Sequence, residues 1–233
     1  MNQSSNILII GGGIIGISIA IELKLRGAKV TVISRDFQQI ATNAAAGMLA
    51  PQAEAIPPGK MLDLSLKSRA LYPEWVKKIE SISGLETSYW PCGILAPVYA
   101  VKERENYVLP NLNYQWLNQV AIHQYQPGLS PEVIGGWLYP QDGQVDNRYL
   151  YKSVIAAAKE LKVEIKSGFV TEIIRKKGKI QSLKTSIGEI EAEHYVLATG
   201  AWSQELLPIP VFPTKGQMLS LKIPSEVSRE NLY

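Results

Sequence analysis

Ile7-Leu8-Ile9-Ile10-Gly11-Gly12-Gly13-Ile14-Ile15-Gly16 decides how this chain is read. The apolar run is expected to be a buried strand that empties into a three-glycine turn and then a helix. Gly11 and Gly13 permit a tight turn and close approach of the backbone to a pyrophosphate. Gly16 lets the helix pack on the strand, and the N–H groups of the first helical turn face phosphate oxygens. Ile15, Ile19 and Leu23 are expected on one helix face, with Glu22 and Arg26 paired at i,i+4. Gly27 ends the helix and Lys29–Ile33 supplies a second strand. Asp36 falls about 20 residues after the last glycine, where a ribose-binding acid sits in such units. A glycine fingerprint alone is weak, but a complete strand–turn–helix–strand unit favours a dinucleotide site over a structural turn.

Working outward, 233 residues at 46% hydrophobic content suffice for one or two buried cores. A net charge of +3 spread along the sequence argues against a nucleic-acid surface. Arg175-Lys176-Lys177-Gly178-Lys179 is the densest basic run and reads as a solvated hairpin tip. Cys92 is the sole cysteine, which excludes an internal disulfide and fits a reducing compartment; its apolar neighbours suggest a buried side chain. His123 and His194 lack ligand spacing, so no metal site is expected. Residues 1–6 carry no positive region or cleavage site, and no stretch reads as a membrane span. A cytoplasmic protein is the expectation.

Beyond the second strand, Thr42-Asn43-Ala44-Ala45-Ala46-Gly47-Met48-Leu49 packs small side chains densely enough for a backbone to press on a flat group. A helix follows from about Met61 to Ile82, with Leu64, Ala70, Leu71, Trp75 and Ile79 along one side. Pro73 should kink it or start a second helix. From Gly84 to Gln144, aromatics and prolines increase and helical periodicity fades, as in a second, mainly β domain. Trp116, Tyr125 and Trp137 read there as core or interface filling. Asp142-Gly143-Gln144-Val145-Asp146 returns the chain to a helix with Leu150, Val154, Ala158 and Leu161 inward. Val163–Ile165 gives a third parallel strand. A meander follows over Val170–Arg175, Ile180–Thr185 and Glu189–Glu193, and Tyr195–Leu197 returns to the parallel sheet at Ala198-Thr199-Gly200. Gly216–Leu221 reads as one more strand.

Five segments occur together and in order: Gly11–Gly16, Ala44–Leu49, Asp142–Asp146, Ala198-Thr199-Gly200-Ala201-Trp202 and Pro213-Thr214-Lys215-Gly216-Gln217. The set resembles the D-amino-acid oxidase superfamily, and within it the glycine oxidases of the thiamine-biosynthesis type. The fold implied is α/β: a Rossmann-like FAD-binding domain (parallel sheet plus β-meander) with a second, mainly β substrate domain. The expected division is 1–83 and 145–207 for the first, 84–144 and 208–233 for the second. The resemblance also implies that the chain is incomplete at its C-terminus, with the substrate-clamping residues beyond Tyr233.

By that resemblance FAD is the cofactor, with Gly11, Gly13, Ile14, Ile15 and Gly16 at the pyrophosphate. Ala41, Thr42, Ala46, Gly47 and Met48 lie along the flavin, with Met48 near the substrate side. Val170 offers its backbone to adenine, and Thr199 and Gly200 turn near the cofactor. Family members place Glu at the end of the second strand, where this chain reads Ser34-Arg35-Asp36; the ribose contact stays open among those three. The implied reaction oxidises glycine and similar small amino acids to 2-oxo acid, ammonia and hydrogen peroxide, and supplies an imine for thiazole synthesis. Substrate and oxygen are the expected partners, and a homo-oligomer (a tetramer in the family) the expected assembly. Two other readings stand beside it: an NAD(P)-dependent dehydrogenase with Arg35 on a 2′-phosphate, and a non-catalytic FAD-binding fragment.

Overall fold

The structure is a computed structural model that describes residues 5–107 and 113–219. Along the chain run β1 (Ser5–Ile10), α1 (Ile14–Leu25), β2 (Val30–Ser34), α2 (Ala41–Ala44), β3 (Met48–Leu49) and α3 (Lys60–Ser83). Then come β4 (Tyr89–Trp90), β5 (Ile94–Val98), a 3-10 helix (Val101–Tyr107), β6 (Gln115–Asn118), α4 (Gln119–Tyr125) and β7 (Gly135–Tyr139). The remainder is β8 (Gly143–Val145), α5 (Asn147–Glu160), β9 (Glu164–Ser167), β10 (Val170–Lys176), β11 (Lys179–Thr185), β12 (Gly188–Ile190), β13 (Ala192–Leu197) and a 3-10 helix (Gly200–Glu205). Two compact units result: residues 5–46, 77–87 and 147–218, and residues 47–76, 88–107 and 113–146.

The first unit is built on a parallel sheet in the order β13-β1-β2-β9. Its central strands read as continuous apolar runs because a parallel sheet is covered on both faces. Leu8, Ile9, Val32 and Ile33 are accordingly buried. Helix α1 packs on β1, β2 and α5. It buries Gly16, Ile17, Ala20 and Ile21, whereas Ile15, expected inward, is 64% exposed. Glu22 pairs with Lys78 instead of Arg26. Helix α5 turns inward Leu150, Tyr151, Ser153, Val154, Ala157 and Ala158. The antiparallel meander β10-β11-β12 adds Val170 and Leu183 to a core with Leu8, Ile10 and Ile33. Its first turn is the basic tip, where Lys177 and Gly178 both take positive φ, as a two-residue hairpin loop of matching twist demands.

The second unit holds two three-stranded antiparallel sheets, β3-β8-β4 and β5-β7-β6. Trp137 is buried, with Tyr114 and Trp116 stacked edge-on against it at 5.1 and 5.0 Å. Tyr125, expected among the packed aromatics, is exposed at the end of α4, and Cys92 is half-buried. Helix α3 continues through Pro73 without a second start. It buries Leu62, Val76 and Ile79, while Leu64 and Leu71 stay exposed, contrary to the stripe read from the sequence. Residues 216–219 form no strand, and 220–221 lie outside the described residues. Among the described residues no helix is long and apolar enough to cross a membrane.

Candidate functional site

The turn after β1 is shaped by close approach. Gly11 (φ +112°) donates to the Ile33 carbonyl at 2.8 Å, and a Cβ placed on it would sit 2.2 Å from the Ala198 carbonyl oxygen. That oxygen belongs to the end of the β13 strand, whose Ala198 N–H reaches Ile10. A Cβ on Gly12 would strike the Phe37 ring, and one on Gly16 would lie 2.0 Å from the Gly11 carbonyl oxygen. Gly13 is different: its nearest neighbour would be the Thr42 hydroxyl at 3.6 Å. Gly11 and Gly16 are therefore required by backbone packing, Gly12 is closed off by side chains, and Gly13 leaves room.

Gly13 is the N-cap of α1, and its carbonyl accepts the first helical bond from Ile17. The Ile14 N–H donates to Thr42 Oγ1 at 3.1 Å. No acidic side chain occupies the first turn, so the positive end of the helix dipole stays available to an anion. Two contacts escaped the sequence reading. Asn147 donates its amide to the Thr42 carbonyl, and Tyr151 donates its hydroxyl to the Gly12 carbonyl at 2.6 Å. They stand four apart on α5, so polar side chains at i,i+4 beside its apolar face were the available signal.

At the end of β2, Ser34 is buried and its hydroxyl donates to the Asp36 carbonyl at 3.0 Å. Asp36 Oδ1 accepts from the Gln38 and Gln39 N–H groups at 2.6 and 3.3 Å, which ties one carboxylate oxygen into the turn. Arg35 pairs with Glu205 at 3.0 Å and lies over the Phe169 ring at 5.3 Å. Val170 is buried at the start of β10. Thr199 Oγ1 meets Ser203 Oγ at 3.0 Å, and Gly200 takes a positive φ. Ala41 and Thr42 lie on α2, and Ala44–Ala46 are exposed. The first unit thus brings Gly11, Gly13, Ile14, Ile15, Gly16 and Thr42 around one turn, with Ser34 close behind Gly12.

In the second unit Gly47 accepts from the Val145 N–H at 2.9 Å, and Met48, 45% exposed, pairs with Gln144 across β3 and β8. A cavity of about 290 Å³ opens beside it, lined among others by Met48, Leu49, Ser68, Arg69 and Tyr72. Arg69 is held by Asp142, which is 0% exposed. The other oxygen of Asp142 accepts the Gln52 and Ala53 N–H groups at 3.2 and 2.9 Å. Burial pushes the Tyr72 phenol above its ordinary pKa, with Tyr89 adding to the effect, so it remains a neutral wall.

The family described as "FAD dependent oxidoreductase" matches residues 6–233, and the chain belongs to it. Within that family it is 54% identical, over 97% of its length, to the "Bifunctional protein ThiO/ThiG" of Nostoc sp. (strain PCC 7120), of which it covers 35%. It is 28% identical to the glycine oxidase of Bacillus licheniformis, covering 95% of this chain and 62% of that one. The crystal structure of glycine oxidase from Bacillus cereus ATCC 14579 superposes with a TM-score of 0.80. There the identity is 28% over 88% of this chain and 58% of that one. The chain spans about a third of the length of the bifunctional relatives it matches. The α/β fold expected from the sequence is the fold of this family, and the nicotinamide-dependent reading falls with the family match. FAD is the cofactor, and the glycine turn fits it: a cradle open only at Gly13, under a helix start free of acidic side chains.

Proposed function

We propose that this chain is part of an oxidase that converts glycine and similar small amino acids, with oxygen and water, to 2-oxo acid, ammonia and hydrogen peroxide. The observation that carries this is the 54% identity to a bifunctional ThiO/ThiG protein along nearly the whole chain. The imine that precedes hydrolysis would serve thiazole synthesis for thiamine. When bound, FAD supplies the two-electron oxidation of the substrate C–N bond and returns the electrons to oxygen.

The chain's own residues bind and orient. The N–H groups of Gly13 and Ile15 face the pyrophosphate with Ile14 between them, its own N–H on Thr42 Oγ1, and the α1 dipole supports the anion. Gly11 and Gly16 set that turn, and Ser34, Arg35 and Asp36 hold the ribose end. Val170 offers its backbone to adenine, and Thr199 and Gly200 shape the turn beside the cofactor. Ala41, Ala46 and Gly47 are small enough to lie against the ring system, and Met48 gives an apolar wall on the substrate side. The assembly is a homo-oligomer in the cytoplasm.

The test is a peroxide-coupled assay of the whole protein, loaded with FAD, on glycine, sarcosine and D-alanine, with ammonia measured alongside. Peroxide and ammonia in equal amounts from glycine are expected. A loaded protein that makes neither from any of the three would overturn the reading.

A further inference from the structure

The peptide between Gly12 and Gly13 is turned by a side chain from outside the glycine motif. Tyr151, in the second turn of α5, is buried and donates its O–H to the Gly12 carbonyl at 2.6 Å. A trans peptide points its C=O and its following N–H in opposite directions. Holding the Gly12 oxygen toward α5 therefore aims the Gly13 N–H away from α5. The same residue, Gly13, caps α1, and a Cβ there would meet only the Thr42 hydroxyl, at 3.6 Å. We propose that Tyr151 is a positioning residue for the cofactor, fixing the Gly12–Gly13 peptide so that the Gly13 N–H meets the pyrophosphate. The inference rests on the FAD reading given above.

Two further observations support it. Burial, and secondarily the Asp36 carboxylate, pushes the Tyr151 phenol up to about 12, so it remains an O–H donor across the neutral range. Asn147, one turn earlier on α5, holds the Thr42 carbonyl, so the helix grips two segments of the turn with two side chains. A phenylalanine would fill the same space without turning the peptide, which separates positioning from packing.

The experiment is Tyr151→Phe in the whole protein, with FAD displaced from the binding site by ADP and, separately, by adenosine. Affinity for ADP should fall about tenfold, as expected for loss of one well-aimed charge-assisted contact, while affinity for adenosine holds. Equal weakening of both ligands, or of neither, would show that the phenol only packs the turn. Should the variant fail to fold, the unaltered protein gives the answer by amide resonances. The Gly13 N–H should move downfield with ADP and stay with adenosine, and an unmoved Gly13 defeats the proposal. An unaltered protein that binds neither FAD nor ADP removes the FAD reading itself, and this inference with it.

Discussion

The glycine turn of the first unit and the Asp142 cluster of the second reach rigidity by opposite means. The turn is rigid because side chains are absent: Gly11 and Gly16 let backbone atoms touch that a methyl group would separate. The cluster is rigid because side chains converge. Asp142 gathers two N–H groups and a guanidinium at a position with no solvent, and Arg69 is shared in turn with the Gln52 side chain. Subtraction of atoms is written in a few consecutive letters. Convergence draws on residues 52, 69 and 142, which nothing in the sequence marks as neighbours.

The contrast can be broken most forcefully within the turn itself. Gly11→Ala must accept a positive φ and a Cβ against the Ala198 carbonyl. Strain and overpacking together should cost roughly 2–6 kcal/mol, read as a lowered urea midpoint. Gly13→Ala meets nothing closer than 3.6 Å and should fold within about 1 kcal/mol of the parent, yet bind FAD more weakly. Equal stability losses in the two variants would erase the distinction between packing glycine and binding glycine.

Asp142→Ala sharpens the other half. It strands a mostly buried guanidinium and two N–H groups, and breaking such a pair from one side costs about 3–5 kcal/mol. Hydrogen exchange should show the loss across residues 47–76 and 113–146, with the amides of β1 and β2 still protected. Faster exchange throughout both units would mean that the cluster does not act locally.

The smallest effect belongs to Arg35→Ala. Its partner Glu205 and Arg35 itself are 50% and 55% exposed, so the pair should contribute only about 0.2–1 kcal/mol, falling further with added salt. A salt-insensitive loss of several kcal/mol would show that this end of β2 is held as tightly as the Asp142 cluster.

What the sequence made legible follows the same division. Strand β1, its turn, β2, the meander and the return at β13 were readable because each is encoded by local spacing. The inward face of α1 was not, because Ile14, Ile15, Ile17, Ile19, Ile21, Leu23 and Leu25 make it apolar on nearly every side. Periodicity cannot choose a face where no polar stripe exists. Helix α3 misled for the reverse reason: Leu64 and Leu71 are apolar yet exposed, while Leu62, Val76 and Ile79 carry the packing. Tyr151 carried only the weak signal of its i,i+4 spacing from Asn147, since its role exists only once α5 is laid beside the glycine turn.

The order of the central sheet has a consequence for how the molecule is made. Strand β1 pairs with β2 almost at once, but its other neighbour is β13, with Ile7 opposite His194 and Ile10 opposite Leu197. At a ribosomal rate of roughly 5–20 residues per second, about 10–40 s pass before that neighbour exists. Throughout that interval one long apolar strand offers an open edge to any other nascent chain. The fit of Gly11 against Ala198 cannot form until the same moment. For a substitution at Gly11, the backbone strain is met as the first turn forms, but the clash with Ala198 is met only as the sheet closes.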